Sequence, residues 1–235
     1  MLARVDWVAF ALIALVALLG AGWGAMAAQA TIGGVSINLP PPEGLCELTD
    51  RDPADKGMIT KIGELVGKSG NRLLNMSADC GQLADWRAQK RLLDDFAQYQ
   101  TPVRSMDRTL AGAPVESIKQ SCAELRTQGD KLSADTSADV KSHIEQVFDK
   151  VSLNEVAFVG VLAEDTTACY AGQIAKYKTD DGTIKTQLTV FAITFVKGKY
   201  IFVYGFAVYL NSDVVDGVLA KVKANVAALL AANQS

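Results

Sequence analysis

Apolar positions fall along this chain in three patterns, and each predicts a different kind of element. From Trp7 to Gly20 they run without a charge, and small residues carry the run on to Ala28. Further along they recur every three or four residues, the mark of a helix with one buried face. In the last third they alternate or fill both faces, as strands do.

Val35–Leu39 alternates and predicts a strand, ended by Pro40-Pro41-Pro42, whose residues cannot donate to a ladder. Thr31 to Gly34, just before it, reads as a short leader. Asp52-Pro53-Ala54-Asp55 starts a helix, with Asp52 as N-cap, Pro53 at the first helical position and Asp55 complementing the dipole. Met58, Ile59, Ile62, Leu65 and Val66 share one face of it, and Gly67 and Gly70 stop it. Asn71 to Asp79 reads as a strand, although its Arg72–Met76 core is equally compatible with a helical turn. Trp86 to Asp95 is mixed, and Phe96 to Val103 extended. Two helices are predicted next, at about Val115–Arg126 and Ala138–Lys150. The second places Val140, Ile144, Val147, Phe148 and Val151 on one face.

Four strands follow: Val156–Leu162, Tyr170–Tyr177, Ile184–Val196 and Tyr200–Leu210. Asp180-Asp181-Gly182 and Lys197-Gly198-Lys199 are the turns between the later ones. The last strand carries Tyr200, Phe202, Tyr204 and Phe206 on one face. Ile201, Val203, Gly205 and Ala207 are on the other, small enough for a helix to pack closely. A closing helix runs from Asn211–Asp213 to about Ala232. Strands apolar on both faces are covered on both sides. The expected fold class is therefore α+β, an antiparallel sheet sandwiched between helices (a three-layer α/β/α arrangement) in a single domain over 31–235.

The apolar head changes the meaning of the composition. Mean hydropathy over the 235 residues is +0.15, high for a water-soluble protein, and the first thirty residues account for much of the excess. Arg4 supplies a short positive start, partly cancelled by Asp6. Two small-x-small patterns close the run, Ala28-Gln29-Ala30 and, as a second option, Ala25-Met26-Ala27. No Lys or Arg lies between Arg4 and Arg51. Residues 1–30 thus read as a bacterial signal peptide; the competing reading is an uncleaved inner-membrane anchor, for which about 20 apolar residues suffice. The expected location is periplasmic or secreted, with the membrane touched only through residues 1–30 if they stay attached. Net charge is −3 with or without this segment, since Arg4 and Asp6 leave together, and that argues against nucleic acid as a partner.

All four cysteines, Cys46, Cys80, Cys122 and Cys169, lie in the exported part. An even number in an oxidising compartment implies two disulfides with three possible connectivities. Order along the chain favours Cys46–Cys80 with Cys122–Cys169; the blander reading of Cys122, on a helical stripe with Val115, Ile118 and Leu125, is a buried thiol.

Several motifs invite chemistry and are weighed against simpler roles. Gly63-Glu-Leu-Val-Gly67-Lys68-Ser69 resembles a phosphate loop but is one residue short between its glycines and sits at a helix end, so a helix C-cap is the simpler role. His143 is the only histidine and has no local nucleophile or orienting acid. Glu164-Asp165 and Asp180-Asp181 would form an oxygen-rich calcium site only if their two hairpin ends met, and Asp-Asp-Gly is a turn sequence in any case. No cofactor or metal motif is present and none is expected. The aromatic row Tyr200, Phe202, Tyr204, Phe206 is either core under a helix or a ligand or partner face.

Val35-Ser-Ile-Asn-Leu-Pro40 with Glu43-Gly44, the hairpin Phe191–Tyr204 and the closing helix together resemble, in element order over about 35–232, the PsbP-like α/β/α domains, which include the DcrB-type exported proteins. The helical stretch 115–150 and the cysteines depart from that pattern. The resemblance implies a non-enzymatic binding or assembly domain and transfers no site residue. The leading expectation is an exported protein that binds an envelope protein or other envelope component. The alternatives are a small-ligand carrier using the aromatic face and a hydrolase with scattered carboxylates.

Overall fold

The computed structural model describes residues 27–110, 114–147, 151–179 and 181–234, with the side chains of all of these except 130, 132–147 and 151. Its elements follow in the order β1 (Ala28–Ile32), β2 (Val35–Leu39), β3 (Leu45–Glu47), α1 (Pro53–Lys68), β4 (Asn71–Asp79), α2 (Leu83–Arg87), β5 (Phe96–Pro102), α3 (Pro114–Val147), β6 (Val151–Glu164), β7 (Ala168–Thr179), β8 (Ile184–Val196), β9 (Lys199–Val208) and α4 (Asp213–Ala231). β1 and β2 form a separate hairpin. The other seven strands make one sheet in the order β3-β4-β5-β9-β8-β7-β6, every neighbouring pair antiparallel. The chain is α+β.

The centre of the sheet is held by β8 and β9. Val190, Ala192, Ile201 and Val203 are at most 1% exposed and form the main core with Val218, Val222, Val226 and Leu229 of α4. Gly205 permits this close approach, because a Cβ there would lie 2.7 Å from Val222 Cγ2. Ile32, Ile37 and Leu39 of the hairpin belong to the same cluster. A second cluster joins Met58, Ile59 and Ile62 of α1 to Leu48, Met76 and Ala78. A third joins Ile118 and Cys122 of α3 to Cys169, Phe195 and Tyr200. Disulfides close Cys46 to Cys80 and Cys122 to Cys169, leaving no free thiol.

Two sequence expectations need correction. Instead of two helices over 115–150 there is one of 34 residues, α3, running through Gly129 without a break. Glycine weakens a helix interior, but here it makes room: a Cβ at this position would collide with the Phe158 ring of β6. The side chains of Val140, Ile144, Val147 and His143, with Phe148, lie outside those described. At the other end, Thr31 is not in a leader. It sits in β1, which begins at Ala28, inside the segment the sequence assigned to residues 1–30. Among the described residues, no helix is long and apolar enough to cross a membrane.

Candidate functional site

The helix start expected at Asp52 forms as its residues dictate. The Asp52 carboxylate accepts from the Ala54 and Asp55 N–H groups, and Pro53 opens α1. Asp55, however, does more than complement the dipole. It is fully buried, receives both arms of the Arg87 guanidinium at 2.9 and 2.7 Å, and accepts the Thr49 N–H. Burial acts to raise its pKa, but the Arg87 and Thr49 bonds outweigh that and hold it below the usual carboxylate range. The pair clamps α1, α2 and the segment after β3 together, and Cys46–Cys80 adds a covalent tie at the same corner.

Beside this clamped corner lies an open groove of about 640 Å³ between α1 and β4. Ile59, Gly63 and Gly67 recur every four residues along α1 and form its helical wall; β4 supplies the continuous stretch Asn71–Met76. Leu48 and Glu47 border it with Val103 and Met106. A Cβ at Gly63 or Gly67 would meet nothing within 4 Å, so these glycines keep the groove empty rather than relieving a clash. The motif that imitates a phosphate loop is therefore the wall of a groove.

Beside the groove the sheet is unfinished. β3 pairs only with Ser77, Ala78 and Asp79, and its last ladder bond runs from the Leu48 N–H to the Met76 carbonyl at 2.9 Å. From Asn71 to Asn75, β4 pairs with β5 on one side and, among the described residues, with no strand on the other. Alternate residues of such an edge turn their N–H and C=O groups outward, unpaired. Side chains steady this edge: Asn75 Nδ2 donates to Glu47 Oε1, and Arg72 Nη2 to the Thr31 carbonyl.

The aromatic row lies elsewhere. Tyr200, Phe202, Tyr204 and Phe206 are half-buried and form a ladder of rings with Phe195, Phe191 and Phe96, the closest pairs being Phe195–Tyr200 at 4.2 Å and Phe96–Phe206 at 4.3 Å. Desolvation lifts the Tyr204 hydroxyl well above its ordinary range. Of the four, Phe206 borders a smaller cavity of about 210 Å³ beside α4, and none of them lines the groove.

The acidic hairpin ends do not meet. Asp165 stands before β7 and Asp181 after it, so twelve strand residues, roughly 40 Å, separate them. Each is absorbed in its own turn. Asp165 accepts from Thr167 and Ala168, and Asp181 is held down to about 2 by the Thr179 hydroxyl and the Thr183 N–H. Glu164 pairs with Arg126 at 2.8 Å. Among the described residues, no group of three or more His, Cys, Asp or Glu is arranged to hold a metal. Asp180 lies outside the described residues.

Sequence reasoning did not find the groove or the open edge. The one available signal was the Gly63/Gly67 spacing, which places two side-chain-free positions on one helical stripe. No protein family, curated protein or solved structure matches this chain.

Proposed function

We propose that this is an exported, periplasmic protein that binds a polypeptide partner without catalysis, by accepting an extended segment of it as an added strand on the Asn71–Asn75 edge of β4. The observation that carries this reading is the coincidence of an unpaired strand edge with an apolar, glycine-walled groove along the same residues. Strand addition needs both parts. Main-chain hydrogen bonds to the edge give affinity, and alternate side chains reaching the groove give selectivity. Export is supported by the charge-free apolar run from Trp7 to Ala28 behind Arg4 and by the engagement of all four cysteines in disulfides, which persist in oxidising compartments. The resemblance to PsbP-like exported domains points to the same class of role. We read the architecture as three layers, with α4 and the β1–β2 hairpin on one face of the sheet and α1 and α3 on the other. The separate clusters of α4 and of α3 support this.

The test is selection from a random-peptide display library against the purified disulfide-bonded protein. Sequences with apolar residues at alternate positions should be enriched. Their binding should slow amide exchange at residues 71–75, and the Gly63→Leu variant should lose them. Failure to enrich any peptide over that variant would refute strand addition. A doubled mass in sedimentation, abolished by the same substitution, would make a second copy of the chain the occupant instead.

A further inference from the structure

The sequence offers two processing patterns three residues apart, and the fold distinguishes them. We infer that the chain is cut after Ala27, within Ala25-Met26-Ala27, so that Ala28 is the first residue of the mature protein. This rests on the export reading above. Water adds across the Ala27–Ala28 amide, leaving a carboxylate on the released segment and an α-ammonium on Ala28. The small residues at 25 and 27 meet the requirement of the membrane-bound signal peptidase as well as those at 28 and 30 do.

What separates the two is the use the folded protein makes of residues 28–30. All five residues of β1 are paired with β2, from Ala28 opposite Leu39 to Ile32 opposite Val35. Ala28 and Ala30 pack against the main core, and the Gln29 amide donates to the Asn38 side chain at 3.1 Å. β2 is clasped in turn to the end of α4. The Asn38 N–H donates to Asn233 Oδ1, Asn233 Nδ2 donates to the Asn38 carbonyl, and Asn38 Nδ2 donates to the Ala232 carbonyl. The hairpin is thus part of the core, with Ile32 and Ile37 fully buried and Leu39 1% exposed.

A cut after Ala30 would remove three of the five β1–β2 pairs and the Gln29–Asn38 bond, leaving Thr31 and Ile32 as a stub beside an uncovered β2. A cut after Ala27 removes none of these. Nor is there a spacer for an anchored form. The apolar run reaches Ala28, and Ala28 is already in the strand, so an uncut chain would hold the hairpin against the bilayer.

The experiment is expression of the full chain in a Gram-negative host, followed by N-terminal sequencing and intact mass of the periplasmic product. A chain beginning at Ala28 is expected. One beginning at Thr31 overturns the inference while leaving export intact; an uncut chain in the membrane fraction overturns the inference together with the soluble periplasmic product. An uncut chain confined to the cytoplasm overturns export itself. As a second readout, proteins spanning 28–235 and 31–235 are melted side by side. The shorter should unfold about 5 °C or more lower, and equal melting temperatures would remove the structural basis of the inference.

Discussion

The two edges of the seven-stranded sheet are built in opposite ways. At one end β6 runs for 14 residues and breaks register with β7 three times, near Leu153, Phe158 and Val161. Its outward residues include Asn154 and Glu155, the latter bonded to Lys176 at 2.8 Å. Irregular register and charge are how proteins stop a sheet edge from recruiting another strand. At the other end β3 covers only three residues of β4 and then leaves, so among the described residues five positions of the edge stay open beside an apolar groove. Cys46–Cys80, the Asp52 cap and the Asp55–Arg87 pair frame the β3 end of that open stretch. The proposed strand addition would use this asymmetry between the edges.

Dismantling the frame should have the largest effects. Replacing Cys46 and Cys80 together by Ser frees a loop with a sequence separation of 34 residues. The expected loss is about 3–4 kcal/mol of stability, read from urea unfolding of both forms. Arg87→Ala strands the buried Asp55 carboxylate and should cost about 3 kcal/mol, read in the same way.

That pair also sets a pH dependence. The folded pKa of Asp55 lies below its unfolded value near 3.9, so the pair's contribution is complete above that value and disappears as pH falls through the folded pKa. Asp55→Asn should therefore flatten the stability–pH curve below about pH 4 relative to the parent protein. A parallel pair of curves would show that the ion pair does not control acid stability.

Filling the groove should separate binding from folding. Gly63→Leu projects a side chain into open space and removes a helix-interior glycine, so stability should hold or rise by about 0.5–1 kcal/mol. Affinity for selected peptides should fall at least tenfold, about 1.4 kcal/mol. Calorimetry on the variant reads both quantities. The smallest effect belongs to the protected edge. Val159, 41% exposed on β6, should accept Lys within about 0.5 kcal/mol, and peptide affinity should not change. Equal losses of binding from Val159→Lys and Gly63→Leu would erase the distinction between the edges.

Legibility followed the range of the interactions involved. The bounds of β4 at 71–79 were readable, since Gly70, at φ +76°, gives it a sharp start, but its Arg72–Met76 core fitted a helical turn equally well until β5 paired with it. The small face of β9 announced a close helix, and α4 packs there. The continuity of α3 was not readable, since Gly129 as a breaker and Gly129 as a seat for Phe158 look alike until β6 is folded against it. Asp55 looked like a surface dipole partner because Arg87 lies 32 residues away. β1 was hidden by its composition, for Ala28-Gln29-Ala30 satisfies a peptidase and a strand equally well.

Backbone preferences and hydrophobic period act over a few residues, so helix starts, turns, strand faces and the oxidising address follow from the residues read in order. Whether a glycine ends a helix, admits a ring or empties a groove depends on what stands opposite it. The place where the sheet stays open depends on how far β3 reaches along β4. Those are distances between parts of the chain tens of residues apart, and packing sets them.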